Sequence, residues 1–507
     1  MAAESADVGP SLGKRLTEAR ARAFVGRAED LARSTAALAG GGDAPPVFYV
    51  HGPGGIGKSS LLRQSQACRC APLWTGLDSS EQCAGWRVDG SMPLTPVNQS
   101  EVKAEMETTV KFLFENESFS FEALRTAGYA CYGGADLGEV LVTACGIPEG
   151  DEALWHDRWK ALADRLRAVG MAALQAGHRV SARDTLLRAS GYYRAADFYL
   201  RDDPVGDPEV ALLSQRVQET FATAAALLDH PAEPVAIRFG PTVLPGYLFR
   251  PDDSGAPRPT LIYHGGYDSV LEEAYFAAAA GAVRRGYNCL AFDGPGQGGV
   301  LRDQRLTFRP DWETVVSAAV DFAIKRPEVD SERLALMGTS FGGFLAARAA
   351  AFEHRLAAVI VHDAIFDASS SGWRILPPGV RDAALEGRDD DVARALAGPM
   401  AESTGLRWFI RNGMWAFGAD SPAALFRRTS YTLDGAAGQI ACPTLLLEAE
   451  NDATFRGEAQ RIAQALNCPY EHIVLTDAEG AGEHCHEGAM LAFHQRAFDW
   501  LDTVLAR

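Results

Sequence analysis

The chain has no run of about 18 consecutive apolar residues, so no membrane-spanning helix is expected. Its opening, MAAESADVGPSLGKRLTEAR, is polar and charged and lacks the apolar core of a secretory leader, so a cytoplasmic protein is expected. Cysteine is scarce, with nine among 507 residues, which fits reduced thiols rather than a disulfide framework. Cys68, Cys70 and Cys83 cluster, but no fourth ligand stands at finger spacing, so no metal site is expected. Basic residues are in deficit, with 48 Lys and Arg against 66 Asp and Glu and a net charge of −18. That balance argues against nucleic acid or an anionic membrane as the partner. Internal repeats and low-complexity tracts are also missing.

What remains is a globular composition, 47% hydrophobic and 22% charged. At about 100–200 residues per domain, the length allows two to four structural units. Within 108–232 the pattern is helical. Trp155, Trp159, Leu162, Leu166, Val169 and Leu174 repeat near the helical period, and further helices follow Ser181 and start near Glu209. From 234 onward, short apolar runs alternate with helical segments. Val235–Phe239 and Thr242–Phe249 suggest an antiparallel pair. Pro259–His264, Asn288–Asp293, Leu334–Met337, Ala358–His362, Thr444–Glu448 and His472–Leu475 suggest a mostly parallel, doubly wound sheet.

One of these runs leads into chemistry. Leu334-Ala335-Leu336-Met337 is followed by Gly338-Thr339-Ser340-Phe341-Gly342, a G-x-S-x-G turn between a strand and an Ala-rich helix. Glycines there let a strained turn expose Ser340 Oγ at the sheet edge, facing the free N–H groups of the helix start. A serine nucleophile needs a base, and the base needs an acid that orients it. In this fold class the order along the chain is serine, acid, histidine. Asp452 follows the strand at 444–448, and His484 and His486 follow the last strand; His484 is the expected base. The oxyanion donors are expected at the N–H of Phe341 and at Tyr267, with Gly266 as the alternative, in the loop His264-Gly265-Gly266-Tyr267.

Several blocks together resemble one subgroup of α/β hydrolases: the 2,6-dihydroxypseudooxynicotine hydrolase, the fungal pigment hydrolases that shorten polyketides, and FrsA-like esterases. The blocks are Gly133–Val140, Ala189–Arg194, Gly266–Ser269 with Glu272 and Glu273, Phe292–Gly298, the Ser340 turn and Gly480–Cys485. The resemblance covers about 108–507. It implies an α/β-hydrolase domain over 233–507, a helical cap over 108–232, and Ser340, Asp452 and His484 as a triad. It also implies hydrolysis of an acyl bond, in some members a C–C bond beside a ketone, with a small-molecule substrate and no cofactor. An ester or aminoacyl amide bond is the alternative, and a homodimer stays open. Such relatives place acids after the strand that follows the elbow, where Asp363 and Asp367 stand here, as auxiliary acids or structural carboxylates. Tyr192, Tyr193 and Trp373 are candidate substrate contacts, beside Trp408 and Trp415, with core packing as the other reading. Arg188 and Arg194 suit either an anionic substrate group or an ion pair.

The remaining motif is Gly52-Pro53-Gly54-Gly55-Ile56-Gly57-Lys58-Ser59, a complete G-x-x-x-x-G-K-[ST]. Gly52, Gly57, Lys58 and Ser59 are the residues that would hold phosphate. With Phe24-Val25-Gly26-Arg27, residues 1–66 resemble the opening of a STAND-type ATPase. No apolar strand ending in an acid follows between 61 and 150, so the stretch is expected to be an incomplete P-loop fragment, with 67–107 a linker or irregular segment. A nucleotide-binding regulatory protein is the rival reading.

Overall fold

The computed structural model describes residues 111–369, 376, 379–452 and 455–506. These belong to the second of two compact units, Val97–Arg507. The expected P-loop fragment, including Gly52, Gly57, Lys58 and Ser59, and most of the expected linker lie outside the described residues, as does Trp373.

Helices come first: α1 (Glu117–Gly128), α2 (Leu137–Ala144), α3 (Glu152–Gln175), α4 (Arg179–Asp197) and α5 (Pro208–Ala225). Asn116, Asp136, Asp151 and Asp207 cap the N-termini of α1, α2, α3 and α5, each side chain accepting a backbone N–H of the first turn. Such a cap is typically worth about 1 kcal/mol. In α3 the apolar stripe buries Trp155, Trp159, Leu162 and Leu166 against α4. The stripe then ends earlier than its period suggests: Val169 is 53% exposed, and Gly170 takes the contact instead. A Cβ at Gly170 would lie 2.7 Å from Leu186 Cγ, so the absence of a side chain there lets Leu186 pack directly against α3.

The sheet follows: β1 (Glu233–Phe239), β2 (Thr242–Phe249), β3 (Arg258–His264), β4 (Asn288–Phe292), β5 (Val329–Thr339), β6 (Ala358–His362), β7 (Thr444–Ala449) and β8 (Tyr470–Leu475). The order is β1-β2-β4-β3-β5-β6-β7-β8. β2 pairs antiparallel with β1 and β4, and the remaining neighbours are parallel. Alternate residues serve opposite faces. Ile262, Leu290, Leu336 and Leu446 join one apolar layer, while Leu261, Ala335, Met337 and Leu447 join the other. Both faces are covered, which is why the central strands read as continuous apolar runs.

The crossover helices include α6 (Gly298–Gln304), α7 (Glu313–Ala323) and α8 (Phe341–Ala350). Between β6 and β7 the chain inserts α9 (Val380–Leu385), α10 (Asp389–Glu402), α11 (Thr404–Ala416) and α12 (Pro422–Arg428). The chain then adds α13 (Glu458–Ala465) and α14 (Met490–Leu505). Among the described residues, no helix is long and apolar enough to cross a membrane.

Candidate active site

The chain passes from β5 into α8 through a single residue, Ser340. Ser340 sits at φ 62° and ψ −130°, a conformation that costs a residue with a side chain about 1–3 kcal/mol. Its N–H donates to the His362 carbonyl at 2.9 Å, which helps hold it there. The flanking glycines are steric requirements. A Cβ at Gly338 would lie 2.0 Å from the Gly342 carbonyl oxygen, and one at Gly342 would lie 2.4 Å from that of Gly265.

His484 follows β8 in a tight turn whose next two residues, Cys485 and His486, both take positive φ, 54° and 53°. The turn brings His484 Nε2 to 2.9 Å from Ser340 Oγ. On the other side of the ring, Nδ1 hydrogen-bonds Asp452 Oδ2 and lies 2.7 Å from Asp363 Oδ2. Two carboxylates therefore share one ring nitrogen. Burial works against a charged ring, but Asp452 and Asp363, with the neighbouring Cys485 sulfur, outweigh it and push the His484 pKa well above that of an ordinary histidine. Burial opposes an ionised Asp363 as well, and the charge and hydrogen bond of His484 overcome it, so the acid stays strongly ionised. Asp363 is itself held in the left-handed region, φ 56°, and accepts the Cys485 N–H at 2.5 Å.

His486, the competing base, points elsewhere. Its ring is buried, stacks on His362 with centroids 5.1 Å apart, and bonds the Ala481 carbonyl through Nδ1 at 2.9 Å. Burial lowers its pKa. Cys485 Sγ lies 3.3 Å from His484 Nε2, on the same side as Ser340. Asp363, His484 and Cys485 bring one potential metal-donor atom each within 4.8 Å of one another, though both ring nitrogens of His484 already have partners.

The loop after β3 packs directly on the elbow. A Cβ at Gly266 would stand 2.6 Å from the Thr339 carbonyl oxygen and 3.0 Å from the Phe341 and Gly342 nitrogens. Only a glycine allows this approach, which brings the Gly266-Tyr267 backbone beside the start of α8. The block Phe292–Gly298 acts as scaffold for that loop. Gln297 Nε2 donates to the Gly265 carbonyl at 2.5 Å, and its Oε1 accepts the Gly294 N–H at 2.9 Å. His264 is buried and pushed down to about 4; its Nε2 accepts the Trp312 indole N–H at 3.2 Å, so it serves the loop as a neutral ring. From α11, Asn412 Nδ2 donates to the Tyr267 carbonyl at 3.2 Å, and the Tyr267 hydroxyl donates to the Phe409 carbonyl at 2.5 Å.

Ser340, His484, Asp452, Asp363, Phe341, Gly266 and Tyr267 thus meet at the carboxyl edge of the sheet. Among the described residues, the other candidates have partners elsewhere, although the Trp408 ring also lies 6.0 Å from that of Tyr267. Asp367 turns to Ser369, accepting its N–H at 3.0 Å and its hydroxyl at 2.6 Å. Tyr192 and Tyr193 are buried inside the helical segment, where their hydroxyls bond Glu139 at 2.9 Å and Asp164 at 2.6 Å. A double tyrosine on one helix reads equally as core or lining, and the packing against α2 and α3 makes it core. Trp408 stacks on Phe198 with centroids 4.3 Å apart, and Trp415 lies beneath the guanidinium groups of Arg201 and Arg302. Two aromatics that carried no sequence signal do reach the site: the rings of Phe121, from α1, and Phe455 lie 6.1 Å and 5.4 Å from that of His484. Lone phenylalanines at these positions look like any core residue.

With this geometry in place, similarity to known proteins is informative. Residues 261–497 match the alpha/beta hydrolase family and residues 142–372 match the FrsA-like esterases. The hydrolyase poxO of Penicillium oxalicum is 36% identical over 414 residues, which cover 77% of this chain and 98% of that protein. The 20-hydroxy-prefusarin hydrolase FUS2 of Gibberella moniliformis is 34% identical over 419 residues, covering 78% of this chain and 98% of that one. The crystal structure of the 2,6-dihydroxy-pseudo-oxynicotine hydrolase superposes with a TM-score of 0.58 at 23% identity, over 75% of this chain and 95% of that one, and so shares the fold. Neither matched family region reaches Gly52–Ser59.

Proposed function

The chain belongs to the α/β hydrolase family, and from that premise we propose that it is a serine hydrolase working through an acyl-enzyme. The observation that carries this reading is the 2.9 Å contact between Ser340 Oγ and His484 Nε2, with carboxylates on the opposite ring nitrogen. Ser340 Oγ attacks the substrate carbonyl carbon while His484 Nε2 takes its proton. The Phe341 and Tyr267 N–H groups, with that of Gly266 as the alternative to the second, receive the oxyanion. His484 then returns the proton to the departing group. Water repeats the sequence on the acyl-enzyme and releases a carboxylic acid. Asp452 holds the ring in the tautomer with Nδ1–H and balances the imidazolium. Asp363 supports the same proton from a second direction and ties it to the Cys485 backbone.

The substrate is proposed to be a small aromatic or polyketide-like acyl compound. The likeness to a hydrolase named for 20-hydroxy-prefusarin supports this, as do the Phe121 and Phe455 rings beside His484. The α1–α5 segment is proposed to act as a cap, since α1 brings Phe121 to the catalytic ring. For the bond cleaved, C–C beside a ketone is the first reading; the FrsA-like match favours an ester as the second.

The test has two stages. A fluorophosphonate probe should label the chain at Ser340 and leave Ser340→Ala unlabelled; equal labelling of both would refute the serine mechanism. A panel of aryl diketones, p-nitrophenyl esters and aminoacyl amides then identifies the bond. Turnover of esters alone would overturn the C–C reading, and turnover of amides alone would indicate a peptidase.

A further inference from the structure

Three sequence blocks find no use in the triad itself: the Arg194 end of α4, Asp268 with Glu273, and the residues just past His484. The fold gathers them in one buried place. Arg194 donates through Nη1 to Glu122 at 2.5 Å and through Nη2 to Asp268 at 2.8 Å, and its Nε lies 3.0 Å from Glu273. Arg125, from α1, donates to Asp268 at 2.7 Å and to Glu273 at 3.0 Å. Its Nε lies 3.7 Å from Glu487. The Tyr129 hydroxyl closes the group by donating to Glu273 at 3.1 Å. All six charged side chains are 15% exposed or less.

The members of this cluster come from both sides of the proposed reaction centre. Asp268 directly follows Tyr267, a proposed oxyanion donor. Glu487 lies three residues after His484. Glu122, Arg125 and Arg194 come from the helical segment. Backbone contact seals the same seam, since a Cβ at Gly128 would meet the Gly488 nitrogen at 3.0 Å. We infer that Arg125 and Arg194 are positioning residues: both guanidinium groups fix Asp268 of the Tyr267 loop, and Arg125 spans from there to Glu487 of the His484 turn, so that base and oxyanion donors surround one carbonyl. This rests on the hydrolase reading above, and it makes the helical segment part of the catalytic apparatus as well as a cover.

Charge counting gives the arrangement a signature. Two guanidinium groups face four carboxylates, Glu122, Asp268, Glu273 and Glu487. Burial would raise Asp268, but both arginines hold it down to about 2. Burial wins at Glu487, pushing it up to about 8 against the pull of Arg125, and it raises Glu122 as well. Glu487 is faced by Arg125 and Glu122 from α1, by Tyr129 just past its end, by Arg194 from α4, and by Glu273. Its Oε2 is buried without a hydrogen-bond partner. Ionising Glu487 adds a negative charge beside the His484 turn.

The experiment uses the full chain with p-nitrophenyl acetate and a fluorophosphonate probe. Arg194→Lys and Arg125→Lys keep the charge but lose the forked geometry. Each should lower kcat about tenfold or more with KM within about threefold, because misplacing donors affects the transition state more than the bound ester. Labelling at Ser340 should slow in parallel. Glu487→Gln is isosteric and neutral, and should extend the alkaline limb of the profile upward from about pH 8, where the parent loses activity. A folded lysine variant with unchanged kcat, or a loss confined to KM, overturns the inference. If the lysine variants do not fold, the Glu487→Gln profile decides, and superimposable profiles overturn it. A labelled parent with insensitive variants sinks this inference alone; a parent that takes no label at Ser340 sinks the hydrolase reading and this inference together.

Discussion

Two buried polar clusters lie side by side in this molecule, each with twice as many acids as bases, and they resolve the same imbalance differently. At the sheet edge, one imidazole faces Asp452 and Asp363. At the seam under α1, two guanidinium groups face four carboxylates. The imidazole titrates, so the first cluster answers its surplus of acid by raising the histidine pKa while Asp363 stays ionised. A guanidinium group does not titrate in a protein, so the second cluster can adjust only through its acids, and Glu487 and Glu122 are the ones pushed toward the protonated form. A base that changes charge suits proton transfer; a cation that never does suits fixing two loops in place.

The comparison can be broken most severely at the sheet edge. Ser340→Ala should remove essentially all turnover, a loss of about 10³-fold or more, while the melting temperature changes little. A large shift in melting temperature would mean the elbow is a structural knot instead. Next, His484→Ala should cost about 10³-fold in kcat/KM, whereas His486→Ala should cost far less activity and chiefly stability, since its ring packs on His362. Equal losses in kcat/KM would dissolve the distinction between the two histidines.

The shared proton on Nδ1 supplies a finer test. Asp363→Asn removes one of the two charges that raise the His484 pKa. The active base is the neutral ring, so activity rises as pH climbs through that pKa. Lowering it should therefore move the acid limb of kcat/KM to lower pH, with a loss of about tenfold at the plateau. An unmoved limb in the pH–rate profile would mean that Asp452 alone governs the ring. The smallest effect is expected at the P-loop motif: Lys58→Ala should leave kcat within about threefold, or about 0.65 kcal/mol in barrier height. ATP-dependent turnover lost in that variant would give the P-loop motif a regulatory role.

Much of the site was readable from local patterns. The Ser340 turn announces itself because glycine spacing, a preceding apolar strand and a following helix all act within a dozen residues. Gly266 was legible for the same reason. Asp363 was visible as an acid after β6, yet its contact with Nδ1 depends on where the β8 turn delivers His484, 121 positions further along the chain. Tyr192 and Tyr193 stayed open between core and lining because adjacent aromatics on a helix do not say which side meets protein and which meets substrate. Phe121 was missed because only the docking of α1 over the sheet edge gives it a role.

The sequence by itself determined the alternation of strands and helices, the glycine-flanked turn at Ser340 and the order of Ser340, Asp452 and His484 along the chain. These follow from steric and hydrophobic rules acting over a few residues. Tertiary structure alone decided which histidine meets Ser340, that two acids share one ring nitrogen, and that Arg125 on α1 lies between Asp268 and Glu487 while Arg194 on α4 pairs with Asp268. Those outcomes depend on distances between segments far apart in the chain and on the burial that makes their charges matter.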